Sequence, residues 1–220
     1  MKVALVGLAR SGKDTVADIL QKQYPKLFTN RYALADPIRN IINTLVGVSD
    51  EVAATQKDIE LTYSINLSNF LRAGKIFQEV FRGHKVAFDY AHYWGFFLEH
   101  NEMAFHEGVH VYKGSLRHLY QQLGTEYARS FHNNIWLDVI PESTNIITDV
   151  RFDNEAEFLQ DEGYLLIKIE RQNTGVDVKP HISEKGVSVP YDVYLDNNGT
   201  LEDLKAQLTP EAIQSYGKII

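Results

Sequence analysis

The segment Gly7-Leu8-Ala9-Arg10-Ser11-Gly12-Lys13-Asp14-Thr15 concentrates residue types that bind phosphate. Glycines at 7 and 12 let the backbone turn tightly enough for its N–H groups to converge on phosphate oxygens. Lys13 adds a point charge with the reach to meet a nucleotide's outer phosphates, and Arg10, Ser11 and Thr15 add a cation and two hydroxyls. Loops of this kind commonly place Ser or Thr directly after the lysine, to hold Mg²⁺. Here Asp14 takes that position and Thr15 follows. This leaves the phosphate cradle intact and offers the metal a carboxylate, directly or through water. Asp14 also suits a helix N-terminus electrostatically.

Two more groups carry chemistry. Arg117, Gln121, Thr125 and Arg129 recur every four residues, so on a helix they trace one polar stripe. Solvated faces usually mix Glu with Lys. This stripe instead has two arginines, an amide and a hydroxyl, all partners for phosphate or base, with an ordinary exposed face as the competing reading. Asn145-Ile146-Ile147-Thr148-Asp149 is an apolar run ending in a carboxylate, followed by Arg151, Asn154 and Glu155. A carboxylate at a strand's C-terminal end beside a phosphate loop can orient magnesium-bound water. His106-Glu107-Gly108-Val109-His110 matches the HExxH zinc pattern, which requires both histidines on one helical turn. Gly108 interrupts it, and Val109, Val111 and Tyr112 favour a strand, so a strand or loop with surface histidines is expected.

The elements that must position these groups follow from pattern. Val3–Val6 reads as a buried parallel strand leading into the glycine loop, and Val16, Ala17, Ile19 and Leu20 open an amphipathic helix after it. Residues 31–35 are expected as a second strand ended by Asp36-Pro37. Segment 38–115 is aromatic-rich and mostly helical by pattern, with most of its aromatics in a core. A long helix is expected over 116–131, strands ending at Asp149 and over 164–169, and a last strand over 191–195. Thr200 caps a helix over 201–208. Strand–helix alternation implies a parallel sheet flanked by helices. The expected organisation is a single domain. Its core is 1–37, 116–170 and 191–208, with a helical insertion over 38–115 and a lid-like polar segment over 171–190 that contains His181.

Composition narrows the function. The 220 residues carry a net charge of −7, which argues against non-specific duplex binding while allowing a small basic cleft. The chain has no cysteine, which excludes a disulfide framework, cysteine-ligated zinc and a cysteine nucleophile, and suits a reducing cytoplasm. No run of about 18 apolar residues occurs, so no membrane span is expected.

Three blocks together resemble the deoxynucleoside monophosphate kinases of tailed bacteriophages, within the P-loop nucleoside monophosphate kinases. They are Gly7–Thr15 with Val16-Ala17-Asp18; Arg117, Gln121, Gly124-Thr125-Glu126 and Arg129; and Thr148-Asp149-Val150-Arg151-Phe152 with Asn154-Glu155. The resemblance spans most of 1–208, is weakest over 38–115, and implies a three-layer α/β P-loop kinase fold. It further implies transfer of the ATP γ-phosphate to a deoxynucleoside 5′-monophosphate, with Mg²⁺, in the cytoplasm (the host's, if phage-encoded).

By that resemblance Gly7, Arg10, Ser11, Gly12, Lys13, Asp14 and Thr15 hold ATP, and Asp14, Thr15 and Asp149 serve the magnesium. Arg117, Gln121, Gly124 and Thr125 face the acceptor, and Asp149, Arg151 and Glu155 form the rim. Arg129 and Arg171 are added on position, the latter as a lid arginine. Lys13, Arg117, Asp149, Arg151 and Arg171 form the expected catalytic set. Tyr120, Trp136 and the aromatics of 88–105 are candidates for stacking on a base. The expected partners are small phosphorylated molecules, with neither a nucleic-acid polymer nor a membrane, and an exposed aromatic face would favour a homodimer. The competing functions are another small-molecule P-loop kinase, such as one acting on dephospho-coenzyme A, and a non-catalytic ATP-binding switch.

Overall fold

Lys2–Val6 forms strand β1, and Val3, Ala4 and Leu5 are fully buried, as a central strand covered on both faces requires. The computed structural model describes residues 1–83, 89–172, 186–209, 211–212 and 215. Contacts divide the chain into two units, one of residues 1–34 with 140–220 and one of residues 35–139.

In the first unit, β1 is joined by β2 (Arg31–Tyr32), β6 (Ile146–Val150), β7 (Tyr164–Glu170) and β8 (Val193–Asp196). They form one sheet of order β2-β6-β1-β7-β8. Every pairing is parallel, so the C-terminal ends of all five strands lie along one edge. The glycine loop follows β1 and leads into helix α1 (Lys13–Gln23); α8 (Asp153–Asp161) follows β6, and α9 (Leu201–Gln207) follows β8. Val16, Ala17, Ile19 and Leu20 of α1 and Leu204 of α9 pack with Val3, Leu5, Ile146, Ile167 and Val193 in one apolar cluster. Side chains alternate faces along a strand, so Ala4 and Leu166 face the opposite side. Thr200 caps α9 as expected, accepting from Asp203 N–H at 3.2 Å.

The second unit holds α2 (Asp36–Val46), α3 (Asp50–Gln56), α4 (Leu67–Val80) and α5 (Tyr90–His100). Pro37 sits in the first turn of α2, where its missing N–H costs nothing, and Gly47 ends the helix in the left-handed region at φ 71°. Ser49, Asn66 and Asp89 cap the next three helices. Strands β3 (Leu61–Ile65), β4 (Met103–His106) and β5 (Val109–Gly114) make an antiparallel sheet of order β3-β5-β4. The unit closes with α6 (Leu116–Gln121), a π-helical turn over Gln122–Tyr127, and α7 (Ala128–Phe131). Phe77, Tyr93, Phe97, Tyr127 and Trp136 are its largest buried side chains, as expected of an aromatic core.

The structure differs from the sequence-based expectations in three places. The strand expected over 31–35 is cut to two residues, because helix α2 begins at Asp36 with Pro37 in its first turn. The largely helical stretch also contains the β3-β5-β4 sheet, whose outer partners are far apart in the chain and leave no local signal. The long helix over 116–131 is broken by the π turn, where Trp136 takes the carbonyl of Gly124. As expected, the HExxH residues form strand and turn: His106 pairs with Val109 and Phe105 with His110, while Glu107 (φ 51°) and Gly108 (φ 80°) make the turn. The two histidines therefore stand on opposite strands rather than one helical turn apart. Of the expected lid, residues 173–185, including His181, lie outside the described residues. Among the described residues no helix is long and apolar enough to cross a membrane.

Candidate active site

The glycine loop gathers its groups at the C-terminal edge of the parallel sheet, where open α/β sheets bind ligands. Two left-handed residues shape it: Arg10 at φ 60° and Gly12 at φ 103°. Gly12 serves as the N-cap of α1 and its carbonyl accepts from Val16 N–H at 2.9 Å, so the helix N-terminus opens directly onto the loop. A Cβ at Gly7 would lie 2.4 Å from Ser11 Oγ and 2.6 Å from Ile169 O, so only glycine fits there.

Lys13 bridges the loop, with Nζ donating to the carbonyls of Gly7 (2.7 Å) and Leu8 (2.8 Å). Ser11 is 2% exposed and its hydroxyl has no hydrogen-bond partner, a buried polar atom that a phosphate oxygen would satisfy. Lys13 and Arg151 line one pocket with Val6, Gly7, Leu8, Ala9, Val150 and Gly186.

Asp149 owes its position to a fault in the sheet. The β1–β6 register runs from Ala4 opposite Ile147 to Val6 opposite Val150, so Thr148 and Asp149 together face Leu5. Such a bulge re-aims a side chain. Asp149 is buried, and its Oδ1 accepts from Leu34 N–H at 2.6 Å. Glu155, 3% exposed, turns its carboxylate back to the N–H groups of Arg151 (2.7 Å) and Phe152 (3.1 Å). It thereby satisfies the start of α8 and fixes the backbone that presents Arg151.

Asp14 and Thr15 are exposed on the first turn of α1, and Arg31 forks onto Asp14 and onto Asp18 (2.8 Å). Arg171 lies just past β7 and is exposed. Two residues that contact the loop and helix α1 lie outside the motifs read from the sequence. Arg31 carries no local signal. Asn197, directly after β8, donates its side-chain amide to Ser11 O at 2.8 Å; its only signal is the Asn-Asn-Gly turn that ends the last strand.

The acceptor-side candidates belong to the second unit. Arg117, Gln121, Thr125 and Arg129 are all half-buried, and the π turn over Gln122–Tyr127 interrupts the helix expected to carry them as one stripe. Arg117 Nε meets Asp58, and Arg129 donates to Asn133 O at 2.8 Å. Gly124 packs against Ile38, where a Cβ would come within 2.7 Å of Cδ1, and the Trp136 indole N–H holds the Gly124 carbonyl at 2.8 Å. Trp136 is thereby a core residue supporting the π turn. Tyr120 donates to Asn43 Oδ1 at 2.6 Å, and Asn43 in turn donates to Asp50 at 2.8 Å. Burial pushes the Tyr120 phenol up to about 12.

The donor set also bears on magnesium. Among the described residues no three His, Cys, Asp or Glu side chains group to hold a metal by themselves. Mg²⁺ bound to nucleotides needs little more than one or two carboxylates, with phosphates and water completing its shell. Asp14, Thr15 and Asp149 are hard oxygen donors of that kind.

Comparison with known proteins identifies the family. The family model described as deoxynucleotide monophosphate kinase matches residues 2–68 and 97–208, so it takes in the glycine loop, the arginine stripe and the Asp149–Glu155 segment. The deoxynucleoside-5′-monophosphate kinase of Escherichia phage T5 is 29% identical over 216 residues, covering 86% of each chain. The deoxynucleotide monophosphate kinase of Enterobacteria phage T4 is 27% identical over 243 residues, covering 94% of this chain and 96% of its own. The glycine loop at the edge of a parallel sheet and a family match over residues 2–68 and 97–208, most of the chain, place it in the deoxynucleotide monophosphate kinase family.

Proposed function

We propose that this protein transfers the γ-phosphate of ATP to a deoxynucleoside 5′-monophosphate, yielding the diphosphate and ADP. The observation that carries the reading is the pocket in which Lys13 and Arg151 face the Gly7–Ala9 loop.

In this reading ATP phosphates occupy the loop. Ser11 Oγ and the amides around Gly12 take phosphate oxygens, and Lys13 exchanges the Gly7 and Leu8 carbonyls for the outer phosphates. Asp14, Thr15 and Asp149 would hold Mg²⁺ directly or through water, and the ion would supply charge neutralisation on the phosphates. Arg117, Gln121, Gly124 and Thr125 serve the acceptor, with Arg129 beside them. Arg171 is assigned to the transferring group. An oxygen of the acceptor phosphate forms a bond to the γ-phosphorus while the bond to the β,γ-bridging oxygen breaks, and ADP departs with that electron pair. The attacking oxygen is already anionic, so no side chain is assigned as general base. Alignment and charge stabilisation by Lys13, Arg151 and the acceptor arginines supply the catalysis. Glu155 acts through Arg151 by fixing its backbone. The organisation expected from the sequence, with 38–115 as substrate-binding insertion and 171–190 as lid, belongs to the same proposal, as does a host-cytoplasmic setting, which the phage relatives support.

The test is purified protein with Mg-ATP and a panel of ribo- and deoxyribonucleoside monophosphates, with products separated by ion-exchange chromatography. Diphosphate formation from at least one deoxynucleotide is expected. No turnover with any of them overturns the proposal.

A further inference from the structure

The phosphate loop is fastened from outside by Asn197. This residue follows β8, the strand at the far edge of the sheet from β2, and parallel pairing brings the end of β8 to the edge where the loop emerges. Its backbone N–H donates to Glu170 O at 2.8 Å, which fixes it to the end of β7. Its side-chain Nδ2 donates to Ser11 O at 2.8 Å. The approach is close: a Cβ on Gly12 would fall 2.2 Å from that same nitrogen. Gly12 therefore has a second reason to be glycine besides its φ of 103°.

The consequence follows from peptide planarity. In a trans peptide the C=O of one residue and the N–H of the next point in opposite directions. Drawing the Ser11 carbonyl outward to Asn197 turns the Gly12 N–H the other way, away from Asn197. The same contact steadies Ser11, whose buried hydroxyl has no partner, and the start of α1, whose first carbonyl is that of Gly12. An acceptor at this position demands a donor, so only the amide nitrogen of an asparagine-sized side chain serves. A carboxylate of the same shape would set oxygen against oxygen and put a negative charge behind the loop.

We propose that Asn197 is a positioning residue for ATP: it sets the orientation of the Ser11–Gly12 peptide, and through it the donor-phosphate site, without touching the acceptor. The inference rests on the kinase reading above.

The experiment compares wild type with Asn197→Asp, Asn197→Ala and Asn145→Ala. Asn145 is the control. Its amide bonds Leu27 O and Thr29 Oγ1 near the start of β6, so it too fastens loop to sheet, away from the C-terminal edge. ATP binding is measured by calorimetry, KM for ATP and for the acceptor by steady-state assay, and stability by thermal melting. The expected result is a rise of about tenfold in Kd and KM for ATP in Asn197→Ala, the size of one lost hydrogen bond, and a larger rise in Asn197→Asp. The acceptor KM should stay within about twofold in both. Asn145→Ala should lower the melting temperature while leaving both KM values unchanged. An unchanged ATP affinity in the two Asn197 variants, or equal rises in both KM values, overturns the proposal. Wild-type protein that neither binds ATP nor turns over overturns the kinase reading instead.

Discussion

Lys13 has two roles that can be separated by experiment. Its ammonium holds the loop carbonyls of Gly7 and Leu8, and in the proposed reaction it meets phosphate. The carbonyls it bonds lie on a solvent-facing loop and can turn to water, so Lys13→Ala should abolish phosphoryl transfer with an unchanged circular dichroism spectrum and melting temperature. Arg151 and Glu155 behave differently from each other. Arg151→Ala removes a charge assigned in the proposed reaction to the transferring group and should cut kcat by roughly 10²–10³-fold, with little loss of stability. Glu155 is buried and accepts from two backbone N–H groups. Glu155→Ala leaves both donors unsatisfied and should cost about 1–3 kcal/mol in urea denaturation, in addition to lowering turnover. Asp14 has a partner that its sequence reading did not include. The spacing makes it a magnesium candidate, yet the structure pairs it with Arg31, which the chain places 17 residues away.

At the level of elements, the π turn carries Gly124 and Thr125, two of the residues proposed to serve the acceptor, and has an identifiable support. A π-helical turn withdraws backbone groups from the ordinary helical ladder, and single turns of this kind recur at functional sites. The Trp136 indole holds the carbonyl of Gly124 within it. Trp136→Phe keeps most of the buried ring and removes the N–H, so it should lower stability by about 1 kcal/mol by chemical denaturation. The accompanying change should be a higher acceptor KM with an unchanged ATP KM, because the turn holds Gly124 and Thr125 and no residue of the phosphate loop. The bulge at Thr148–Asp149 plays the same part in the first unit, turning a buried strand residue toward the sheet's C-terminal edge.

At the level of the whole molecule, charge distribution separates small substrates from polymers. The proposed site holds more basic than acidic side chains, while the chain as a whole carries −7. The remaining surface is therefore more acidic than the total. In the proposed reaction, basic site residues on a net acidic chain favour mononucleotides over long polyanions. Duplex DNA at physiological salt should give no measurable binding by fluorescence anisotropy. The KM for the monophosphate should rise with ionic strength, since screening shortens the reach of the basic groups.

Much of this molecule was legible before any coordinates. The strand–loop–helix over 3–20, the Asp149 and 164–169 strands, the Thr200 cap and the class of fold all follow from local rules: apolar runs, glycine placement and caps act over a few residues. The resemblance to phage deoxynucleoside monophosphate kinases came from three short blocks for the same reason. What only the tertiary structure decided depends on residues distant in sequence. The β3–β5 pairing, the bulge that aims Asp149, the Arg31 fork onto Asp14 and the Asn197 hold on the phosphate loop each join segments with no local pattern in common. The HExxH hairpin is the converse case, a local pattern whose meaning was set by strand pairing. Sequence determined which chemistry the loop can do, because residue type and short spacing dictate it. Tertiary structure decided which residues hold that loop in shape, because a hydrogen bond across 186 residues is made only when the sheet brings its two strand ends together.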